Sequence, residues 1–130
     1  TKAVVGYANG QTVALGTVTI TPESRFAAIY VTAPGRSETI AQAKSLLIVA
    51  IARARNTGMQ FNDAGDRLLA KGNAPVLLEP VKATIMIPGK SRLVLLDHDG
   101  RRTDKTLPIA SGAFTIDGAR DKTPYYLAEP

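Results

Sequence analysis

The sequence predicts an all-β fold: an antiparallel β-sandwich, of jelly-roll or immunoglobulin-like Greek-key type, with about eight to ten short strands. Three observations carry that expectation. Short runs of β-branched and aromatic residues recur between Gly, Pro and Asn/Asp turn signals along the whole chain. Residues 46–52 form an unbroken apolar block, as in a strand buried on both sides. The 130 residues, 45% of them apolar, suffice for one hydrophobic core without metal or disulfide staples, so residues 1–130 read as a single domain.

Lys2–Ala8 is the first expected strand, and Asn9-Gly10 is a hairpin dipeptide. Simple alternation puts Val13 and Leu15 on one face and Val18 and Ile20 on the other, a phase change that predicts a β-bulge at Gly16. Pro22 closes that strand. In the strand Phe26–Thr32, Ala27, Ile29 and Val31 share one face, and Phe26, Ala28 and Tyr30 share the other. Pro34-Gly35 is a turn.

Lys44–Asn56 is the strongest strand, with Leu47, Val49 and Ile51 on one face and Leu46, Ile48, Ala50, Ala52 and Ala54 on the other. A helix competes there, because Ala and Leu favour helices and the run exceeds ten residues. The unbroken apolar block, without a helical stripe, decides for a strand. A short helix over residues 40–46 is the expected exception. One face of this strand packs inside the sandwich; the other must meet a further layer, such as a covering loop or another domain.

Asn62–Asp66 is a polar loop, and Arg67–Ala70 adds a short strand or helical turn. Pro80 leads into a strand with Val81, Ala83, Ile85 and Ile87 on one face, and Pro88-Gly89 ends it. Arg92–Asp97, the Asp99-Gly100 hairpin, Lys105–Ile109, Ala113–Ile116 and Tyr125–Ala128 complete the sheets.

Composition removes several functions. The absence of cysteine rules out a disulfide scaffold, a thiolate metal site and a cysteine nucleophile. The longest apolar run, Leu46–Ala52, is too short to cross a bilayer. The first residues carry no signal-peptide apolar block, and a start in strand-like sequence suggests a piece of a longer polypeptide. Net charge is +5. The cations are scattered, and Arg101, Arg102 and Lys105 are interrupted by Asp104, so a solvated basic surface is expected in place of a nucleic-acid stripe.

Candidate chemistry is sparse. His98, the only histidine, sits between Asp97 and Asp99 in a turn, and Ser91 and Ser111 lack nucleophile-elbow context. Of the candidate carboxylates Glu79, Asp97, Asp99, Asp63 and Asp66, only Glu79 lies outside a turn, so no glycosidase pair is evident. Asn62, Asp63 and Asp66 offer oxygen ligands for a structural calcium ion but lack the calcium-loop pattern; no other cofactor is implied. No glycine spacing cradles a phosphate. Aromatic rings stack on pyranose faces, and here tryptophan is absent while Phe26, Phe61 and Phe114 could all serve the core. Tyr7, Tyr30, Tyr125 and Tyr126 remain as candidate carbohydrate-binding residues. Tyr125 and Tyr126 point to opposite faces, so at most one of the pair is exposed.

The segments ARARNTGMQFN (52–62) and GNAPVLLEPV (72–81), followed by LLDHDGRR (95–102) and GAFTI (112–116), resemble a C-terminal β-sandwich accessory domain. That domain follows the catalytic barrel in some bacterial glycoside hydrolases. The likeness spans nearly the whole chain. Asn56, Thr57, Gly58, Met59, Gly72, Pro75, Glu79 and Pro80 match its shared motif and are read as architectural. The resemblance implies a non-catalytic, carbohydrate-binding-module-like domain, secreted by a bacterium with its enzyme. Its expected partners are a plant or other structural polysaccharide and the parent catalytic domain, which would also cover the second apolar face. A purely structural sandwich docking on that barrel, through Leu46/Ile48/Ala50 or Phe26/Tyr30, is the alternative; a basic nucleic-acid module is a third reading.

Overall fold

The computed structural model describes all residues, 1–130. Its strands are β1 (Lys2–Gly6), β2 (Val13–Leu15), β3 (Val18–Pro22), β4 (Ala27–Thr32), β5 (Leu46–Ile51), β6 (Ala54–Thr57), β7 (Gln60–Phe61), β8 (Leu68–Ala70), β9 (Asn73–Leu78), β10 (Lys82–Met86), β11 (Arg92–Leu96), β12 (Arg102–Pro108), β13 (Ala113–Asp117) and β14 (Tyr125–Glu129). One short helix, α1 (Gly118–Asp121), precedes β14. A six-stranded sheet, ordered β1-β4-β5-β14-β11-β12, packs on a four-stranded sheet, β13-β10-β3-β2. All pairings are antiparallel, and the chain passes repeatedly between the layers. The all-β sandwich is therefore correct.

The core lies where two inner faces meet. Ile29, Leu46, Ile48, Leu93 and Tyr126 come from the large sheet, and Val18, Ile20, Ala83, Ile85 and Ile116 from the small one. Alternation puts these residues on one side of each strand, and their burial is the main force holding the layers together. The predicted alternation in β4 holds: Ala27, Ile29 and Val31 face inward. No helix forms over residues 40–46; turns and bends span 36–45, tied down by Lys90, whose ammonium donates to the carbonyls of Ala43 and Lys44 at 2.7 Å each.

Two turn readings need correction. Val13 lies opposite Ile20, and Leu15 opposite Val18, so all four share the inner face. Gly16, at φ 75°, starts a two-residue hairpin loop; it is not a bulge, and Gly-first chemistry suits that loop type. Asn9-Gly10 does turn, with Gln11 N–H donating to Ala8 O, but it carries the chain from one sheet to the other instead of joining paired strands. The Asp99-Gly100 hairpin joins β11 and β12 as expected.

Beyond Ile51 the chain leaves the sandwich as a long β-arm. β6 pairs with β9, and farther out β7 pairs with β8, before β9 leads back through Pro80 into β10. The motif residues hold this arm in shape. Asn56 Nδ2 donates to Lys71 O at 3.0 Å, and Thr57 Oγ1 to Pro75 O at 2.8 Å. At Gly72, φ is 65°, and a Cβ would collide with the Thr57 carbonyl, so only glycine lets the strands close here. Arg53 grips Glu79 through two hydrogen bonds, 2.6 and 3.2 Å.

Candidate functional site: the outer face of the six-stranded sheet

The two outward faces of the sandwich differ sharply. On the four-stranded sheet, β3, β10 and β13 present Thr19, Thr21, Thr84 and Thr115, a polar surface suited to water. On the six-stranded sheet the register aligns Val5, Ala28 and Ile51 in one row, and Ala3, Tyr30, Val49 and Tyr125 in the next. Thr32, Leu47, Leu127 and Val94 form a third row. The expectation that β5 is apolar on both sides is thus met: Leu46, Ile48 and Ala50 face the core, while Leu47, Val49 and Ile51 face outward.

Half of this outer face is covered from within. The Arg102 side chain, level with Leu96, reaches Glu129, level with Arg92, and so passes over Val94. Its guanidinium donates to both Glu129 carboxylate oxygens, at 2.6 and 2.9 Å, and Arg92 adds a third bond at 2.9 Å. These bonds, Arg102's foremost, hold the Glu129 carboxyl at about 2, well below the usual carboxylate range. A depressed folded value contributes stability above the unfolded value, about 4.3, and that contribution is lost as pH falls through about 2. Glu129→Gln should therefore lower stability at neutral pH, and its denaturation curve should converge on the parent's as both approach that acid limit.

The other half, over β1, β4, β5 and β14, has nothing lying on it. Tyr30, 36% exposed, and the half-buried Tyr125 flank Val49 from either side. Two strand spacings separate them, about 10 Å. Tyr7, 75% exposed, stands just past β1 and meets Phe26 edge-on at 5.2 Å, with the Arg25 guanidinium 6.0 Å from its ring. The structure thus puts Tyr30 and Tyr125 on one face and Tyr7 at the arm end of the sheet beside Phe26.

Tyr126 is withdrawn from the candidate set. It is fully buried, pairing with Ile48 in the core-facing register, so its ring faces are closed to any ligand. Its hydroxyl donates to Asp121 Oδ2 at 3.0 Å and to Thr123 O at 3.1 Å. Burial, then the Asp121 charge, pushes the phenol far above its ordinary value, so it stays protonated. Leu46, Ile48 and Ala50 likewise form no docking face, contrary to the sequence expectation, because these three are core.

The remaining polar candidates are occupied with local structure. The Asp97 carboxylate accepts the amides of Asp99 and Arg101, and Asp99 pairs with Arg101 at 2.8 Å. His98 stays exposed between them. In the loop proposed for calcium, Asn62 Oδ1 accepts the amides of Asp66 and Arg67, and its Nδ2 donates to Asp66 at 2.7 Å. This is turn architecture. No cluster of three or more His, Asp or Glu side chains is placed to hold a metal. No helix is long and apolar enough to cross a membrane.

No known protein family, curated protein or solved structure matches the chain.

Sequence reasoning missed the groove at the base of the arm, about 490 Å³, whose lining includes Ala52, Val76, Leu77, Leu78 and Glu79 together with His98 and Lys122. The signal was present in Val76-Leu77-Leu78, a short aliphatic run between the motif prolines, but nothing in one dimension says that such a run leaves the core.

Proposed function

We propose that this chain is a non-catalytic accessory module of a secreted bacterial polysaccharide-degrading enzyme. It lays the open half of its six-stranded sheet against a structural polysaccharide, holding the substrate near the catalytic domain. The observation that carries this reading is the placement of Tyr30 and Tyr125 on one flat, uncovered face, astride Val49. Two flat rings about 10 Å apart offer stacking platforms at a separation comparable with a disaccharide unit. The likeness of residues 52–62 and 72–81 to hydrolase accessory domains supports the same assignment.

Affinity electrophoresis through gels containing glucan, xylan or mannan tests it. The protein should be retarded by at least one polymer. Tyr30→Ala and Tyr125→Ala should each weaken retention about tenfold, the loss of one stacking contact of roughly 1.4 kcal/mol, without lowering the melting temperature appreciably. No retention by any polymer would remove the sugar-binding reading.

A specific feature also favours the bracing alternative. Leu47, Val49, Ile51 and Leu127 surround the rings with aliphatic surface, which suits contact with a protein better than contact with sugar hydroxyls. If the face seats the catalytic domain, Tyr30→Ala should leave polymer retention unchanged and lower the melting temperature of the whole enzyme.

A further inference from the structure

The tyrosine face does not stop at the row of Val5, Ala28 and Ile51; it runs on to the base of the arm. Ala8 and Ala52 pack against the core, so alternation turns their neighbours Tyr7 and Arg53 the other way, to the outer side. Phe26 follows Tyr30 and Ala28 in the outward series of its strand, and meets the Tyr7 ring there. Tyr7 and Arg53 are close enough to interact electrostatically. The extended chain from Val49 to Arg53 spans about 13 Å, so this end of the face lies well clear of the Tyr30 and Tyr125 rings.

The arm end of the face is cationic. Arg53, Arg55 and Glu79 help to line one open hollow, of about 370 Å³. Glu79 neutralises only one of these guanidiniums, accepting from Nε and Nη2 of Arg53 at 2.6 and 3.2 Å. Arg25 and Arg55 stay free: neither belongs to any ion pair of the molecule. Glu23, the acid nearest to Arg25 in sequence, is held by Lys82 at 2.8 Å. Each free guanidinium lies instead by an aromatic ring, Arg25 at 6.0 Å from the centre of Tyr7 and Arg55 at 5.0 Å from that of Phe61. Three guanidiniums against one carboxylate leave this end with an excess of two positive charges.

We propose that the polymer this face takes is acidic, a polysaccharide bearing uronate groups: neutral sugars lie on Tyr30 and Tyr125, and a carboxylate reaches Arg25 and Arg55 at the base of the arm. The assignment rests on the tyrosine-face reading of the protein and adds the charge of the substrate to it. An arginine fork matches a carboxylate with two parallel hydrogen bonds, and a ring beside it takes the face of the sugar that carries the acid. That combination occurs twice here, as Tyr7 with Arg25 and Phe61 with Arg55. Both guanidiniums are exposed, and Tyr7 is largely open to solvent, so neither needs to be uncovered before it can bind. Between the two ends, Val5, Ala28 and Ile51 carry no charge, so the face meets negative charge at one end only. A nucleic acid, charged at every unit, calls for cations along the whole track. A neutral sugar backbone with acidic substituents fits the uneven distribution found here.

Titration calorimetry with glucuronoxylan and xanthan, each beside the same polymer after its carboxyls are reduced to alcohols, tests the assignment. At least one acidic form should bind about tenfold tighter than its reduced form, and the gap should shrink as salt rises from about 0.05 M to about 0.5 M. Arg25→Gln combined with Arg55→Gln, both exposed positions, should erase that gap without lowering the melting temperature. Arg36→Gln, an exposed arginine beyond the opposite end of β4, should keep it. Tyr30→Ala should weaken the acidic and reduced forms alike. Equal binding of the two forms, or no binding of either acidic polymer, overturns the assignment. So does a gap that survives the double variant. Single-stranded DNA bound as tightly as the acidic polymers also overturns it, since the arm end would then be a general polyanion surface. In each of these cases retention by a neutral glucan, xylan or mannan leaves the tyrosine-face reading standing, whereas no retention by any polymer, acidic or neutral, removes both.

Discussion

Replacing Asp121 with alanine should destabilise the protein by about 2–4 kcal/mol, the cost of removing a buried charged acceptor shared by an amide, a guanidinium and a phenol. Its carboxylate is almost wholly buried and accepts from the Asp117 amide at 2.9 Å, from Arg120 at 2.6 and 3.1 Å, and from the buried Tyr126 hydroxyl at 3.0 Å. Burial pushes this carboxyl up, but the hydrogen bonds from Arg120, Asp117 and Tyr126, with the Arg120 charge, outweigh it and hold the group below its usual range. Alanine leaves the Asp117 amide without its acceptor and the buried phenol with the Thr123 carbonyl alone. Arg120, half exposed, turns to water at little cost. The group also shapes the turn that delivers the chain into β14: Asp117 caps α1 by accepting from Ala119 and Arg120, and Lys122 closes it in the left-handed region at φ 58°. Urea denaturation should show the midpoint falling with little change in slope. Tyr126→Phe keeps the packed ring and loses only the hydroxyl bonds, so it should cost less, about 1–2 kcal/mol. Equal losses from the two variants would show that the carboxylate does nothing beyond meeting the phenol.

The second large effect separates the two faces of β5. Ile48→Ala should cost about 2–5 kcal/mol, because Ile48 is fully buried among Val31, Tyr126 and the opposing sheet, and a cavity would remain. Leu47→Ala, one residue away, should cost about 1 kcal/mol or less, since its side chain is half exposed on the open outer face. Thermal unfolding of both variants decides the matter. A reversal of the order would mean that the outer face is the packed one, and the tyrosine site would then be buried. The contrast holds for the isolated chain; when a partner covers the outer face, Leu47→Ala should weaken that association as well.

Much of this arrangement was legible in one dimension. Alternation in residues 26–32 and 81–87 groups on one face the side chains that the structure buries, because period-two patterning is a local property of an extended backbone. The opposite orientations of Tyr125 and Tyr126 followed from the same rule. Asp99-Gly100 made its hairpin because the turn chemistry is local. Gly16 misled, since an apolar phase change reads alike for a bulge and for a tight hairpin. Only the pairing of Leu15 with Val18 separates them. Asn9-Gly10 misled for a similar reason: a dipeptide sets the turn, but not which sheet receives the next strand.

The amino-acid order alone determined an all-β chain, most of the residue sets that share a strand face, and a middle strand greasy on both sides. It did so because strand geometry and turn formation depend on neighbours a few residues apart. Folding in three dimensions decided the rest. Which side of β5 meets the opposing layer, that Tyr30 and Tyr125 share a sheet row while Tyr126 is sealed inside, and that Val76 and Leu78 overhang the end of the core all depend on partners about 15 to 80 residues distant. Burial is a property of those long-range contacts, and no local pattern specifies where one layer stops short of the other.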